Sequence, residues 1–278
     1  MVYRNRAEGW QHAKLSGHEN EALLEALVEN DGELQDRLLA CGKFPYADID
    51  KIDFGGLRES EVDCILGGKT KSKSDMHIYL FNGKQINVSI KKSEGGQVYL
   101  IGVDRFIEGF EIQFHKVIPD DVKRAISLFW GTANDTRDIV KEFGGKNKAY
   151  ELRKHRLVRE TLVAYDSYLS DVLIKWFNDN MGEVFLFCFS IGLAANENEW
   201  ADIVWYRNEL AENDLDEMFN VADILKRLTP TAEYGTRTGG STIQLPFGFV
   251  QWHSPTKTIP GCMQFHHSYE KIRSLMKR

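Results

Sequence analysis

Apolar residues recur along this chain with two different periods, which predicts an alternation of helices and strands. Several segments repeat their apolar residues every three or four positions, as amphipathic helices do, namely 16–30, 31–42, 103–114 and 119–131. The segment 74–93 instead alternates apolar and polar residues on either side of Asn82-Gly83, which is the pattern of a β-hairpin. A further strand is predicted over 95–102, and a mostly helical, locally basic region over 136–180.

The second half of the chain mixes both periods. The continuous apolar run at 183–192 predicts a buried strand, and 214–230 predicts a helix that stops before Pro230. The segment 198–209 fits a helix or a strand. The last fifth of the chain is rich in Gly, Thr, Gln and aromatic residues, and predicts short strands joined by loops before a closing helix. The expected fold class is mixed α/β (α+β), with a central mixed β-sheet flanked by helices.

Composition narrows the function classes. With 278 residues, 42% of them hydrophobic, the chain can bury a sizeable core, and without an internal repeat or a long linker we expect one domain over 1–278. A net charge of −6 excludes a uniformly basic coat for nucleic acid but allows a local basic cleft. No stretch approaches the roughly 20 apolar residues of a membrane span. Four cysteines without a CxxC pair argue against a disulfide framework or a zinc site, so we expect a soluble cytoplasmic protein.

The hairpin at 74–93 separates apolar from polar side chains. Its apolar positions are Met76, Ile78, Leu80, Ile86, Val88 and Ile90. They share one face if the connecting loop has an odd length, and we predict the register that pairs Leu80 with Ile86 and Asp75 with Lys91. A carboxylate there could hold a divalent cation that polarises a phosphate, and a lysine could orient the attacking water. An ordinary cross-strand ion pair is the alternative.

Ser74-Asp75, followed after thirteen residues by Ser89-Ile90-Lys91, resembles the PD-(D/E)XK motif of the nuclease superfamily that contains most type II restriction endonucleases. Asp75 matches the first acid of the motif and Lys91 its lysine. Ser74 replaces the proline, and Ser89 replaces the middle acid, as Asn, Gln or Ser does in some restriction enzymes, including the MspI-like branch. The resemblance implies a restriction-endonuclease-like fold, with Asp75 and Ser89 holding Mg²⁺ or a water of its shell.

An acid from an early helix often joins the metal site in this superfamily. Glu21 is the first choice for that role and Glu19 the second. The alternative is that Glu19 closes a capping box with Ser16 and that Glu21 is a solvated helix acid.

Residues that could hold DNA lie near the motif and in the C-terminal segment. They are Lys73, Lys92, Gln97, Arg237, Gln244, Gln251 and Lys257. Arginine favours guanine and glutamine favours adenine in the major groove, so Arg237, Gln244 and Gln251 are candidates for base reading. A basic cluster at 146–159, which includes Arg156, could add phosphate contacts. A solvated face is the alternative for each of these groups. We therefore expect a catalytic core region at 16–190 and a DNA-recognition region at 191–278.

The resemblance implies a Mg²⁺-dependent type II restriction endonuclease that cuts double-stranded DNA at a short sequence. One alternative is a repair or phage-defence nuclease of the same fold, and another is a DNA-binding protein whose nuclease site has decayed. A homodimer would suit a symmetric site, although small enzymes of this kind also act as monomers. A cognate DNA methyltransferase encoded nearby is expected for a restriction system, and no membrane partner is expected.

Overall fold

The structure is a computed structural model, and it describes residues 20, 23–54, 61–210, 215–253 and 261–277. The strands are β1 (Ile49–Phe54), β2 (Glu61–Asp63), β3 (Lys69–Lys71), β4 (Met76–Leu80), β5 (Gln85–Lys91), β6 (Gly95–Gly102), β7 (Ile203–Arg207), β8 (Asp216–Asn220), β9 (Glu233–Tyr234), β10 (Thr242–Leu245), β11 (Gly248–His253) and β12 (Cys262–Ser268).

The α-helices are α1 (23–30), α2 (Gly32–Cys41), α3 (Val103–Phe114), α4 (Asp120–Trp130), α5 (Thr136–Phe143), α6 (Lys148–Lys154), α7 (Arg159–Tyr165), α8 (Ser167–Asp179), α9 (Met181–Leu186), α10 (Val221–Arg227) and α11 (Tyr269–Met276). Short 3₁₀ turns cover Gly145–Asn147 and Glu197–Glu199, and a π-helical turn covers Phe187–Ile191.

The chain divides into two compact units, and each is built from two separate stretches. The first contains the described residues of Met1–Glu94 and Phe189–Ile224, and the second those of Gly95–Cys188 and Leu225–Arg278. The predicted division into a catalytic region at 16–190 and a recognition region at 191–278 concerns roles, and it stays a prediction.

The first unit is organised around a five-stranded mixed sheet in the order β1-β4-β5-β7-β8. Strands β1, β4 and β5 are antiparallel, β5 and β7 are parallel, and β7 and β8 are antiparallel. Helices α1 and α2 close one core with this sheet, and its buried residues are Leu24, Val28, Leu34, Leu38, Leu39, Met76, Ile78, Leu80, Ile86, Val88, Ile203 and Trp205. A mixed sheet flanked by helices is therefore present, and the predicted fold class is confirmed.

The second unit contains an antiparallel sheet in the order β6-β12-β11-β10-β9. Its core is strongly aromatic. The ring of Phe106 on α3 lies 5.8 Å from Phe265 on β12 and 5.5 Å from Phe187, between ring centroids. Trp176 on α8 packs against Phe106 and Phe110. Such large rings bury enough area to hold the helices on the sheet.

Most of the element predictions are confirmed, and the exception with the clearest cause is 183–192. That run forms α9 and the π-helical turn Phe187–Ile191 instead of a strand. Val184, Phe185, Phe187 and Phe189 are fully buried. A helix that is buried on all sides has no polar face, so its sequence shows the same continuous apolar run as a buried strand.

The segment 214–230 is half strand and half helix. Strand β8 pairs with β7 before the chain enters α10, so the prediction of one helix is wrong for its first part. The ambiguous segment 198–209 contains β7. In both segments the strands form because they pair with other strands of the sheet. The spacing of apolar residues along the chain does not reveal such pairing.

Among the residues that the structure describes, no helix combines the length and the apolar character that crossing a bilayer requires. None of the four cysteines, all of which lie within the described residues, forms a disulfide bond.

Candidate active site

The hairpin of β4 and β5 is closed by a three-residue loop, Phe81–Gly83. The amide of Leu80 donates to the carbonyl of Lys84 at 2.9 Å across the loop. Gly83 has a φ of +78°, in the left-handed region that glycine adopts without strain, and Asn82 Oδ1 accepts from the amide of Lys84 at 2.9 Å. The prediction of an odd loop is confirmed.

The register of the hairpin differs from the predicted one by two residues. Met76 lies opposite Val88, and Ile78 lies opposite Ile86. The predicted pairings of Leu80 with Ile86 and of Asp75 with Lys91 are therefore wrong. Loops of three and five residues both put the two apolar sets on one face, so the alternation of the sequence cannot separate them. The loop that forms is the shorter one.

This register places Asp75 beside Ser89. The amide of Asp75 donates to the carbonyl of Val88 at 2.8 Å, and Asp75 Oδ2 accepts from the amide of Ile90 at 2.7 Å. The hydroxyl of Ser89 lies 3.4 Å from the same carboxylate oxygen. The carboxylate is therefore held against the backbone of β5.

Ser89 also joins Asp75 to Lys91. Lys91 Nζ donates to Ser89 Oγ at 2.6 Å and to the carbonyl of Ile90 at 3.3 Å. A serine hydroxyl can accept one hydrogen bond while it donates another, so Ser89 can bridge the ammonium and the carboxylate. Ser89 is only 1% exposed, and β5 has β4 on one side and β7 on the other. The structure thus brings Asp75, Ser89 and Lys91 together on one strand pair.

Ser74 is anchored by local hydrogen bonds at the entrance to β4. Its side chain is buried, and its hydroxyl donates to the carbonyl of Met76 at 2.9 Å. Its amide donates to Ser72 Oγ at 3.0 Å. Two local hydrogen bonds thus fix the backbone next to Asp75.

The donor set of the site suits a hard divalent cation. The carboxylate of Asp75, the hydroxyl of Ser89 and the carbonyl of Ile90 supply only oxygen, which is the ligand type that Mg²⁺ prefers. Within the described ranges there is no group of three or more His, Cys, Asp and Glu side chains that could hold a metal. Mg²⁺ often binds through one or two carboxylates, waters and substrate phosphates, so these residues fit it. Glu21 and Glu19 lie outside the described residues.

A polar network that the sequence analysis did not assign lies on the same face of the hairpin. His77 Nδ1 is 2.8 Å from Asn87 Oδ1, and His77 Nε2 is 4.0 Å from Glu199 Oε2. Asn87 Nδ2 donates to the carbonyls of Asn198 and Trp200 at 2.8 Å each. The network ties the segment before β7 to the hairpin. Asn is uncommon in strands, so Asn87 in the middle of the predicted hairpin strand was the one sign in the sequence that could have pointed to this network.

Two predicted DNA-binding lysines flank the motif. Lys73 is half-buried in the bend that leads into β4, and Lys92 directly follows the last residue of β5. Lys92 is therefore outside the strand, so strand alternation does not assign its side chain to the face opposite Lys91. Lys73 is the last of three lysines in the segment 69–73. The first of them, Lys69, forms an ion pair with Asp63 at 2.7 Å.

The C-terminal candidates fall in the second unit, and Gln97 joins them there. Gln97 is on β6, Gln244 on β10 and Gln251 on β11, all in the five-stranded antiparallel sheet. Arg237 is exposed in the connection between β9 and β10. Lys257 lies outside the described residues.

Arg156 cannot serve as a phosphate contact, and that part of the basic-cluster prediction is wrong. Its side chain is 1% exposed, and its guanidinium lies 4.4 Å from the centroid of the Phe129 ring. Burial lowers its pKa to about 10. A buried arginine of this kind holds the core together, and sequence patterning alone does not distinguish it from a surface one.

No protein-family model and no curated protein sequence matches this chain. Among solved structures, the chain is similar to the restriction endonuclease MspI in complex with its cognate DNA. The two share 12% sequence identity and a TM-score of 0.45, and the match covers 84% of this chain and 77% of that one. A likeness of this degree does not bear on the chemistry of the site, which rests on its own residues.

Proposed function

We propose that this protein is a metal-dependent endonuclease of the type II restriction kind, which hydrolyses phosphodiester bonds of double-stranded DNA at a short sequence. The observation that carries the proposal is the convergence of Asp75, Ser89 and Lys91 on the polar face of a hairpin with a buried opposite face. The PD-(D/E)XK-like spacing of the same three residues supports it.

Each residue has a distinct part in this proposal. Mg²⁺, when bound, would polarise the scissile phosphate and lower the pKa of a coordinated water. Asp75 would hold the cation, with Oδ2 already oriented by the amide of Ile90. Ser89 would offer a neutral oxygen, and Lys91 would keep its proton on Nζ and offset charge that develops on the phosphate. We also propose Glu21 as a further acid.

The balance of charge in the site has a consequence for substrate binding. Asp75 contributes one negative charge, and Lys91 contributes one positive charge on the other side of Ser89. This near-neutral set repels DNA phosphate less than two carboxylates would, but it also attracts Mg²⁺ less strongly. We infer that a DNA phosphate supplies part of the metal shell, so that the metal binds more tightly when DNA is present.

The flanking lysines suit the approach of a phosphate backbone. Lys73 and Lys92 lie at the two strand ends that meet beside Asp75 and Lys91. Contacts of this type would position the duplex without reading its sequence, and their contribution would fall with added salt. Lys257 remains a further candidate for such a contact.

Cleavage of plasmid DNA in Mg²⁺ tests the proposal, with Lys91→Ala compared with wild type. We expect Lys91→Ala to slow cleavage about a hundredfold or more, the usual cost of losing one transition-state donor. Lys84→Ala is the matched control, because Lys84 is exposed at the opposite end of the same hairpin, and it should cut like wild type. A protein that binds DNA but never cuts it in Mg²⁺ or Mn²⁺ would contradict the proposal and favour a decayed nuclease.

The form of the products separates restriction from the alternative nuclease functions. A fixed ladder of fragments supports restriction, and continuous degradation supports a repair or phage-defence nuclease. A DNA methyltransferase encoded beside this gene would also favour restriction. For a symmetric recognition sequence we propose a homodimer, which sedimentation with and without DNA would detect. A cytoplasmic location belongs to the same proposal.

A further inference from the structure

The antiparallel sheet of the second unit has one apolar face and one polar face. Alternate residues such as Ile243, Val250 and Phe265 are fully buried. The side chains between them are half-buried or exposed, and they are Gln97, Thr242, Gln244, Phe249, Gln251, Gln264 and His266. Such alternation is ordinary for a sheet with one solvated face. Four of the side chains on this face are glutamines.

Three of these glutamines form a directed chain of hydrogen bonds across three strands. Gln251 Nε2 donates to Gln264 Oε1 at 2.8 Å, and Gln264 Nε2 donates to Gln97 Oε1 at 2.8 Å. Gln251 Nε2 also lies 3.2 Å from His266 Nε2. With the proton of His266 on Nδ1, both hydrogens of the Gln251 amide are used within the sheet. Its Oε1 receives no hydrogen bond from any residue that the structure describes, so it can accept one from a ligand.

His266 fixes the orientation of the Gln251 amide. Its ring stacks on Phe249, with centroids 4.4 Å apart and planes within 7° of parallel. For His266 Nε2 to accept a hydrogen bond from Gln251, the neutral ring must carry its proton on the other nitrogen, Nδ1. Burial and the neighbouring His253 hold the pKa of His266 below its usual range, which keeps the ring neutral.

A cleft of about 580 Å³ adjoins this glutamine chain. Its lining includes Glu233, Arg237, Thr242, Gln244, Phe249 and Gln251. Gln244 Oε1 and Nε2 lie 3.5 Å and 3.4 Å from Lys271 Nζ and Thr242 Oγ1, so Gln251 is the better-placed acceptor. The opposite charges of Glu233 and Arg237 disfavour a phosphate chain and suit the neutral edges of bases, which present both donors and acceptors.

One wall of the cleft is a loop whose backbone is fixed. The carbonyl of Gly240 accepts from the amide of Arg159 at 3.1 Å, and the carbonyl of Gly239 accepts from the amide of Glu160 at 3.0 Å. A Cβ at Gly239 would come within 2.5 Å of the Asn147 side chain. The glycines therefore allow the loop to pack on the start of α7. Arg237 projects from this anchored loop and is exposed.

We propose that this cleft reads base edges in the major groove of duplex DNA, with Gln251 Oε1 accepting from the amino group of adenine or cytosine and Arg237 donating to guanine. The ligand class rests on the proposed function. Guanine O6 and N7 accept in the major groove, whereas adenine N6 and cytosine N4 donate. Because Gln251 offers an acceptor alone, it selects for an amino group and against thymine O4 and guanine O6.

Selection of a random-sequence duplex pool tests this inference. The full chain is incubated in Ca²⁺, and the bound DNA is sequenced. We expect wild type to enrich adenine or cytosine in at least one position, and Gln251→Ala to lose that preference about tenfold while it keeps its affinity for unselected DNA. Gln264→Ala should weaken the same position, because the Gln251 amide can then rotate and donate. Gln35→Ala, the same change on α2 of the first unit, should match wild type.

The outcomes separate this inference from the proposed endonuclease. A pool that Gln251→Ala and wild type enrich identically overturns the inference, and so does a wild-type protein that enriches no sequence. Cleavage in Mg²⁺ is measured separately. Cleavage at fixed positions, together with a sequence preference that does not depend on Gln251, would contradict this inference but not the proposed endonuclease. A sequence preference that depends on Gln251, in a protein that cuts no DNA, would support this inference and contradict the proposed endonuclease.

Discussion

The ammonium of Lys91 donates to the hydroxyl of Ser89 at 2.6 Å, and the same hydroxyl lies 3.4 Å from Oδ2 of Asp75. In the resemblance to the PD-(D/E)XK motif, Ser89 takes the position of the second acid. It links the two charged residues without adding a charge of its own. Within the described part of the site, the negative charge available to a cation therefore comes from Asp75.

Replacing Ser89 by an acid should reduce the Mg²⁺ concentration that cleavage requires. In Ser89→Asp a second carboxylate would face the cation, and we expect the half-maximal Mg²⁺ concentration to fall about tenfold, the equivalent of roughly 1.4 kcal/mol. Ser89→Ala should shift it in the opposite direction, because the neutral oxygen is lost. Cleavage rate against Mg²⁺ concentration measures both, and thermal unfolding checks that each variant folds. One common Mg²⁺ dependence for all three proteins would contradict the assignment of Ser89.

Asp75→Asn should separate folding from chemistry. The asparagine oxygen can still accept from the amide of Ile90, so the hairpin should keep its stability. The negative charge is lost, so we expect cleavage to fall by about a hundredfold or more. Asp63→Asn is the control, since Asp63 is an exposed acid paired with Lys69. Normal cleavage by Asp75→Asn in Mg²⁺ would remove Asp75 from the site.

Two glycines with nearly equal φ angles should respond differently to alanine. Gly83 has a φ of +78°, and a Cβ added there would meet no atom within 4 Å, so Gly83→Ala should cost only the left-handed strain of about 1–2 kcal/mol. Gly131 has a φ of +77°, but a Cβ added there would overlap the carbonyl oxygen of His155. Gly131→Ala should therefore cost clearly more. Urea unfolding of both variants measures the difference, and equal costs would show that the close approach at Gly131 is absent.

Stability should depend on pH through Asp216. Burial raises the pKa of this carboxyl, but hydrogen bonds from Arg37 and Trp205, at 2.8 Å each, and the charge of Arg207 outweigh burial and hold the pKa below its usual value. A carboxyl whose pKa is lower in the folded than in the unfolded state stabilises the fold at pH values above the unfolded-state pKa, which is near 3.9. This contribution is lost as the pH falls through the pKa of the folded state.

Asp216→Asn should therefore lower the free energy of unfolding by about 1–2 kcal/mol at neutral pH, an amount limited by partial solvent screening. The gap from wild type should narrow as the pH is lowered through about 4. Urea unfolding at a series of pH values measures it. A gap that stays constant down to about pH 3 would show that Asp216 is not the titrating group.

The sequence predicts which side chains share a face of the hairpin, but it does not predict which residues of the two strands lie opposite each other. Alternation identifies Met76, Ile78, Ile86 and Val88 as one buried face, and the structure confirms it. The side-chain period of a strand is two, so shifts of two residues leave that face unchanged. The turn decides between them, because Gly83 allows a tight left-handed position that closes a three-residue loop.

The glutamine chain shows a second limit of sequence reasoning. Gln97 and Gln251 could be proposed as DNA contacts from their chemistry, but their connection runs through Gln264 on β12. Strand β12 pairs with β6 far away in sequence, with an irregularity between Phe265 and His266 that shifts the alignment. Neither the pairing of strands that are far apart in the chain nor a bulge can be predicted from the local pattern of apolar and polar residues.

The parallel pairing of β5 with β7 restricts how the protein can be dissected. Ser89 lies opposite Val204, and Lys91 lies opposite Tyr206, so the strand that carries the candidate site has its neighbour more than a hundred residues further along the chain. A fragment that stops near residue 190 would leave one side of β5 as an open row of unpaired amides and carbonyls, and such rows pair with other chains. Limited proteolysis or truncation in that interval should therefore yield aggregating fragments, and the strand of the candidate site should be recoverable in soluble form only with β7 attached.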